Sequence, residues 1–524
     1  MAMDRKWWTL VVVCAATFML LLDVTIVTVA LPEIQGGLHT TFADVQWVVD
    51  AYALTLASLL LTSGSLADRF GRKRLFLIGL AIFTLGSLLC GVAQSPLMLI
   101  LSRAAQGIGG ATLFATSLAL LAQSFQGRER GIAFGVWGAI TGVATALGPI
   151  LGGVITNGIN WRGIFLVNIP VGAAAIAITI FKVDESRTPS ARRPDWPGFA
   201  SLTLGLVALV YGLIRASESS WGDGIVITCL GAGGVLLAAF VAIESHVEVP
   251  MFDLSLFRTP TFLGGSIAAF CMNGSLFALL VYIVLYLQYD LRYSALQAGA
   301  RIILISGSML VAATVAGRLS SSMPVRFLIG PGLFLVGVSL LLMYGVHPST
   351  SWTHLIPGFI IGGIGSGMVN PPLASTAVGV VPPQRSGMAS GVNTTFRQIG
   401  IAVGIAAYGS IFTSALHSSL TRSLASVPSL AGRGAEVAAA VKQGTVSQLI
   451  ATTPPGARGP LVLAVETAFT SAMNDLFIVS GILALVGSLC AVSLIRGKDF
   501  IAFQPQAPGT AGTSHESPVA VPSH

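Results

Sequence analysis

Three charged residues sit where charge is expensive. Asp23, within "LLDVTIVTVALP" (21–32), Asp50 and Arg103 each interrupt a long apolar run of this 524-residue chain. A charge inside a membrane helix costs about 2.5–3.5 kcal/mol on insertion scales, and such residues mark ion pathways or proton relays. At the helical rise, Asp23 lies roughly 12 Å below the outer end of its run, Asp50 about 8 Å and Arg103 about 10 Å. Two acids and one base therefore share a depth in the outer half of one bundle. A neighbouring guanidinium favours a charged carboxylate, and burial opposes it. A site balanced between the two binds and releases a proton as its hydration changes. The same three residues also fit a static ion pair that only holds helices together.

The elements that must position them are membrane helices. Of the residues, 54% are hydrophobic and 9% charged, with mean hydropathy +0.82, against roughly 25% charged in soluble domains. Runs long enough for a span of about 20 apolar residues recur fourteen times: 7–31, 45–67, 75–94, 96–123, 131–157, 163–182, 197–215, 224–243, 261–287, 296–317, 326–346, 353–379, 387–414 and 469–495. Gly, Ser and Pro in 353–379 and 387–414 predict broken helices there. The first run is too long for a signal-peptide core and lacks a small-residue cleavage site, so it is read as a retained helix. Lys and Arg concentrate in the loops that share a side with the N-terminus, which places both termini in the cytoplasm.

Topology accounts for the net charge of +7. No basic face with interleaved aromatics suggests nucleic acid. The five cysteines all fall within apolar runs without a C-x-x-C pair, and the seven histidines lack ligand spacing, so neither a metal nor a disulfide framework is expected. No cofactor is expected either.

The expected fold is all-α and integral to the membrane, arranged as six, two and six helices. A six-helix unit covers 1–182. Polar linkers and two inserted spans cover 183–259, and a second six-helix unit covers 260–496. That unit carries the large extracellular segment 415–468, in which 433–450 reads as an amphipathic helix and "TTPPGARGP" (452–460) as a turn. The tail 497–524, rich in Pro, Ala, Gly and Ser, reads as disordered. "GSLADRFGRKRLFLIG" (64–79) and "GRLSSSMPVRFLIG" (317–330) each leave the second span of their six. Internal repeats of this kind build many secondary transporters, with the substrate site where the repeats meet.

Several stretches carry a family likeness. "GSLADRFGRK" (64–73) combines Gly64, Asp68, Arg69, Gly71, Arg72 and Lys73 in one charged turn, more than a positive-inside anchor needs. It resembles the G-x-L-A-D-R-x-G-R-K loop signature of the major facilitator superfamily at every fixed position. "LILSRAAQGIGGA" (99–111), with Arg103, Gln106, Gly107 and Gly109, resembles the fourth-helix motif of proton-coupled members. "ATALGPILGG" (144–153), with Gly148, Pro149, Gly152 and Gly153, resembles the fifth-helix motif of antiporters. Its small residues at four-residue spacing make a smooth face for another helix, and Pro149 removes a backbone donor that could kink the span. The stretch around Asp23 resembles the first-helix motif L-D-x-T-I-V-N-V-A-L-P of the fourteen-helix drug:proton antiporter-2 branch, with Thr28 where Asn is usual. "WRGIFLVNIP" (161–170) and the two inserted spans point to the same branch.

The resemblance implies a major facilitator fold: two six-helix bundles plus two helices, alternating access around a central site and working as a monomer in the plasma membrane. It implies that Asp68, Arg69 and Arg72 latch the cytoplasmic side, that Arg103 communicates with Asp23 during protonation, and that Gly148 and Pro149 seal or bend the fifth helix. The implied partners are protons and a small-molecule substrate, with drugs or antibiotics of cationic or neutral character expected from the acids. Dedicated export of one metabolite, peptide, siderophore or lipid has the same physical design. Thr28, Asn273, Phe277 and Tyr286 are candidate substrate contacts. Asn273, Phe277 and Leu280/Val284 are expected along one helix face, where they also fit an ordinary core. Arg301 and Arg397 also lie within spans, and Arg397 fits a side chain snorkelling to the cytoplasmic boundary. An enzyme would need a nucleophile, a metal cluster or a phosphate loop. None is evident, and G-x-x-x-x-G-K-[ST] is absent.

Overall fold

The computed structural model describes residues 4–125, 127–185, 195–247, 254–320, 323–381, 386–425, 430, 432–442 and 446–500. Helix after helix is the solution that apolar sequence in lipid demands, because each helix satisfies its own backbone donors and acceptors. In the first half these are α1 (Arg5–Leu38), α2 (Phe42–Phe70), α3 (Arg72–Gly91), α4 (Pro96–Ser124), α5 (Gly127–Gly158), the one-turn α6 (Gly163–Leu166) and α7 (Asn168–Lys182). The inserted pair is α8 (Trp196–Glu218) and α9 (Gly224–His246). The second half holds α10 (Pro260–Met272), α11 (Ala278–Leu285), α12 (Ala295–Leu319), α13 (Arg326–Leu342), α14 (Ile356–Gly379), α15 (Ser386–Ala425), α16 (Gly434–Lys442), α17 (Val446–Thr452) and α18 (Pro455–Leu494). Among the described residues there is no strand, and ten segments are long and apolar enough to cross a membrane.

Short polar turns start these helices at defined points. Thr41 and Asp44 form a capping box at α2, as Ser294 and Gln297 do at α12. Asp195 caps α8 through the Gly198 N–H at 2.9 Å. Asp223 caps α9 through the Ile225 N–H at 2.8 Å, a bond that holds its carboxyl below the usual carboxylate range.

Three expectations about the helices need correction. The helices at 353–379 and 387–414 are not broken. α14 runs through Pro371 and Pro372, and α15 is continuous. The irregularity falls in 260–290 instead, where π-helical turns at Asn273–Phe277 and Tyr286–Asp290 flank α11. Segment 415–468 is largely helical. α15 continues to Ala425 and α18 begins at Pro455, so the turn in "TTPPGARGP" narrows to Thr453–Pro454. Proline at the first helical position lacks only a donor that would be unsatisfied anyway.

The two halves repeat one packing scheme. α2 and α3 pack on α4 as α12 and α13 pack on α14. α1 packs on α5 and α7 as α10 packs on α15 and α18, and α3 meets α7 as α13 meets α18. The halves meet crosswise, α2 against α15 and α5 against α12. The α8–α9 hairpin lies outside the repeat, with α8 against both α2 and α15 and Trp47 6.2 Å from Tyr211. At the end of the bundle bearing the chain termini, Arg5 pairs with Asp184 and Lys6 bonds Glu129 at 3.0 Å. After α18 residues 497–499 of the tail expected to be disordered form a helical turn, and Asp499 accepts from the Thr261 hydroxyl at 2.7 Å, while 501–524 lie outside the described residues.

Candidate functional site

The three charges that share a depth divide into two sites. Asp23 on α1 is fully buried and receives Arg103 of α4, whose Nη1 donates to Asp23 Oδ2 at 2.5 Å. Gln106, one turn along α4, donates to Asp23 Oδ1 at 3.3 Å and to Ser87 Oγ at 2.7 Å. Asn168, first residue of α7, donates to Asp23 Oδ1 at 3.4 Å and to Ser87 Oγ at 3.4 Å. Arg103 Nη1 also donates to Gln106 Oε1 at 2.9 Å, and its guanidinium lies 4.3 Å from the centre of the Tyr52 ring. Four helices thus close a neutral, hydrogen-bonded network inside the first half. Such a pair repays its desolvation only when its remaining polar positions find partners, and here both Asp23 oxygens accept hydrogen bonds.

Asp50 does not join it. Its carboxylate is also fully buried, yet neither oxygen has a hydrogen-bond partner among the described residues. It occupies α2 where that helix meets the second half, in electrostatic reach of Tyr282 on α11. One turn earlier, Gln46 Nε2 donates to Tyr282 Oη at 2.9 Å and to the Ile405 carbonyl of α15 at 3.2 Å, and Tyr282 Oη donates to the same carbonyl at 2.8 Å. The Gln46 amide is seated against Gly409 of α15, where a Cβ would displace it. Arg103 links the two sites: its Nε donates to the carbonyl of Val48, two residues before Asp50, at 3.0 Å.

The halves are sealed at the end away from the termini. Gln288 Nε2 donates to the Val29 carbonyl at 2.8 Å and Tyr289 Oη to Gln35 Oε1 at 2.6 Å, both across the seam. The glycine motif of α5 works on two sides. A Cβ at Gly148 would stand 1.8 Å from Thr25 Oγ1 and one at Gly152 2.9 Å from the Ile26 carbonyl, both on α1. A Cβ at Gly153 would stand 2.6 Å from Leu296 Cα of α12, and Pro149 offers its carbonyl against Gly299 of that helix. α5 runs unbroken through Pro149.

In the charged turn, Gly71 has φ +110°, a conformation that favours glycine. Glu185, just after α7, receives the backbone N–H of Lys73 at 3.0 Å and of Arg74 at 3.2 Å. A carboxylate is thereby held at the positive end of α3. Lys73 Nζ donates to the Ile180 carbonyl at 2.9 Å and Arg72 Nη1 to Gln123 Oε1 at 3.0 Å, both within the first half. The side chains of Asp68 and Arg69 lie outside the described residues, and Gly64 only grazes Ala115.

The expected substrate contacts are scattered. The Thr28 hydroxyl donates to the Thr25 carbonyl of its own helix at 2.7 Å. Asn273 bonds the Ala269 carbonyl at 2.8 Å at the start of the first π turn, and Phe277 ends that turn. Phe277 and Leu280 are partly buried against the core. Tyr286 is buried and stacks on Phe469 at 6.4 Å. Arg397 does not snorkel but reaches sideways to Asn393 and Asn370.

Gln46, Ser87, Tyr52, Asn168 and Glu185 were missed as site residues. The first four are uncharged and so invisible to a search for membrane charges. Asn168 did lie in the quoted stretch "WRGIFLVNIP".

Comparison with known proteins agrees with this architecture. The sequence profile of the Major Facilitator Superfamily matches residues 13–405. Multidrug resistance protein Stp of Mycobacterium tuberculosis is 35% identical over 415 residues, covering 79% of this chain and 77% of that protein. The tetracenomycin C resistance and export protein of Streptomyces glaucescens is 31% identical over 492 residues, covering 93% and 91%. Among solved structures, a bacterial homologue of the human lysosomal transporter Spinster, inward-facing and occupied, superposes with TM-score 0.63 at 15% identity, covering 96% of this chain and 100% of the other.

Proposed function

This chain belongs to the major facilitator superfamily, and from that premise we propose that it is a proton-driven exporter of amphipathic drugs or antibiotics that works by alternating access. The observation that carries the reading is Asp50, a fully buried acid without a hydrogen-bond partner at the seam between the halves. An isolated charge in an apolar seam is far more expensive than a neutral acid. The sealed arrangement therefore suits Asp50 carrying its proton, and parting of the halves, which admits water, lets the proton exchange. Asp23 differs, since Arg103 neutralises it in place. Arg103 touches both Asp23 and the α2 backbone beside Asp50, so a change at one site reaches the other through one side chain.

The fourteen expected spans each coincide with a helix or helix pair, which supports a fourteen-span membrane protein of two six-helix bundles and an inserted hairpin. With both termini in the cytoplasm, the sealed end faces outside and the form described is inward-facing. The protein acts as a monomer in the plasma membrane, with no cofactor beyond the proton gradient. Cationic and neutral compounds are expected cargo by virtue of Asp50. Dedicated export of one compound is the second reading. It is favoured by the relative named for tetracenomycin C, which is matched along almost its whole length.

The test uses purified protein in liposomes with an imposed pH gradient and ethidium as cargo. Uptake is expected to follow the gradient and to stop when an ionophore collapses it. Uptake unaffected by the ionophore overturns proton coupling.

A further inference from the structure

The second half carries its own buried charge, and it is handled unlike Arg103. Arg397 of α15 is half-buried and has only neutral partners. Its Nε donates to Asn393 Oδ1 at 3.1 Å, Nη1 to Asn370 Oδ1 at 2.8 Å, and Nη2 to the Asn370 carbonyl at 3.5 Å. Asn370 is itself fixed by donating to the Ser366 carbonyl at 3.1 Å. A guanidinium has five N–H donors, so these bonds hold the group in one plane and leave one N–H on each Nη open. No carboxylate pairs with it among the described residues. Arg397 lies eleven residues into α15, roughly 17 Å from its start.

Arg397 stands on a helix that meets the first half. α2 and α15 cross between the halves, as do α5 and α12, whereas α14, which supplies Asn370, packs on α10, α12, α13 and α15 of its own half. α4, which supplies Arg103, likewise packs within the first half on α1, α2, α3 and α5. In the repeat the two helices correspond. On α4 the arginine comes with its own carboxylate, and on the α14 side it does not.

The geometry points to Arg397, oriented by Asn370 and Asn393, as an anion-recognition site in the transport pathway that takes the carboxylate or phenolate of an amphipathic acid or zwitterion. A guanidinium without a carboxylate partner and with open N–H donors favours an anionic oxygen, which accepts charge-assisted hydrogen bonds. The inference rests on the export reading for its role in transport, and it widens the cargo from cations and neutral molecules to acids. A lipid phosphate presents the same chemistry from the bilayer.

Two measurements separate these. Binding of cholate to purified protein in neutral detergent, read by intrinsic tryptophan fluorescence, tests the site without any transport. Arg397→Gln is expected to weaken cholate at least about tenfold, and Arg397→Lys to recover part of the loss. Asn370→Asp, nearly isosteric, places a carboxylate on the guanidinium and is expected to abolish cholate binding in a protein that still folds. Unchanged cholate affinity in Arg397→Gln and Asn370→Asp overturns the site. In liposomes under a pH gradient, Arg397→Gln is expected to raise the KM for cholate while leaving that for ethidium unchanged. Equal losses for both probes overturn the recognition role in favour of a structural one. If wild type binds cholate but neither probe follows the gradient, the export reading fails and the anion site stands. If added cardiolipin displaces cholate and wild-type vesicles transport none, the occupant is lipid and the cargo inference is overturned.

Discussion

Asp23 and Asp50 are acids of the same first half, at similar depth and both fully buried, yet their surroundings are opposite. Asp23 lies inside one bundle and has a guanidinium, an amide from Gln106 and an amide from Asn168. Asp50 lies between bundles and has no hydrogen-bond partner. A carboxylate within a rigid half keeps the same neighbours as the halves rock. One in the seam exchanges them for water each time the seam opens. The difference teaches that the depth of a membrane charge does not fix its role. What matters is whether its neighbours move with it.

That contrast can be broken most forcefully at Arg103. Arg103→Ala strands the Asp23 carboxylate in an apolar interior, and losing one partner of a buried pair destabilises by about 3–5 kcal/mol. A large fall in melting temperature in detergent is expected, together with loss of gradient-driven ethidium uptake. Asp50→Asn is expected to do the reverse, leaving the melting temperature unchanged or higher while abolishing the dependence of uptake on the imposed gradient. If Asp50→Asn melts as early as Arg103→Ala, the carboxylate has structural partners and the contrast fails. Asp23→Asn sits between them. It is expected to leave a folded protein whose coupled uptake is lost, and normal coupling in that variant would assign the proton to Asp50 alone.

Smaller effects sharpen how the two regions are held. Gly148→Val drives a side chain into Thr25 on α1, and overpacking of this kind destabilises by about 1–3 kcal/mol. Thermal melting is the readout, and an unchanged value would mean that α1 and α5 can part without penalty. Glu185→Ala removes the carboxylate from the start of α3, worth about 0.5–2 kcal/mol by analogy with other helix caps. Because Glu185 sits at the start of α3 in the first half, that variant is expected to leave cholate affinity untouched.

Much of the fold was legible because lipid imposes a severe rule: every spanning segment must be apolar, helical and about 20 residues long. All fourteen expected ranges therefore fall on helices. The rule weakens where chain leaves the bilayer, which is why 415–468 reads as an extracellular segment with one helix at 433–450, whereas α15 and α18 extend into it with α16 and α17 between them. It is equally silent about the π turns around α11, because a wider turn needs no special composition. Prolines at 371 and 372 misled in the other direction, since neighbouring helices support α14 through them.

By itself the sequence determined that this is an all-helical chain of long apolar segments, and that Asp23, Asp50, Arg103 and the glycines of α5 are out of the ordinary. Charge in lipid and glycine at four-residue spacing are local violations, visible without knowing any neighbour. Only the tertiary structure decided who meets whom. It gave Arg103 to Asp23 rather than Asp50, seated Asp50 in the seam beside Tyr282, and brought Glu185 to the start of α3. It also left Arg397 between two asparagines. The pairings between different helices among them join residues from 27 positions apart (Asn370 and Arg397) to 282 − 50 = 232 positions apart (Asp50 and Tyr282). No periodicity records them, because they arise from how the helices cross.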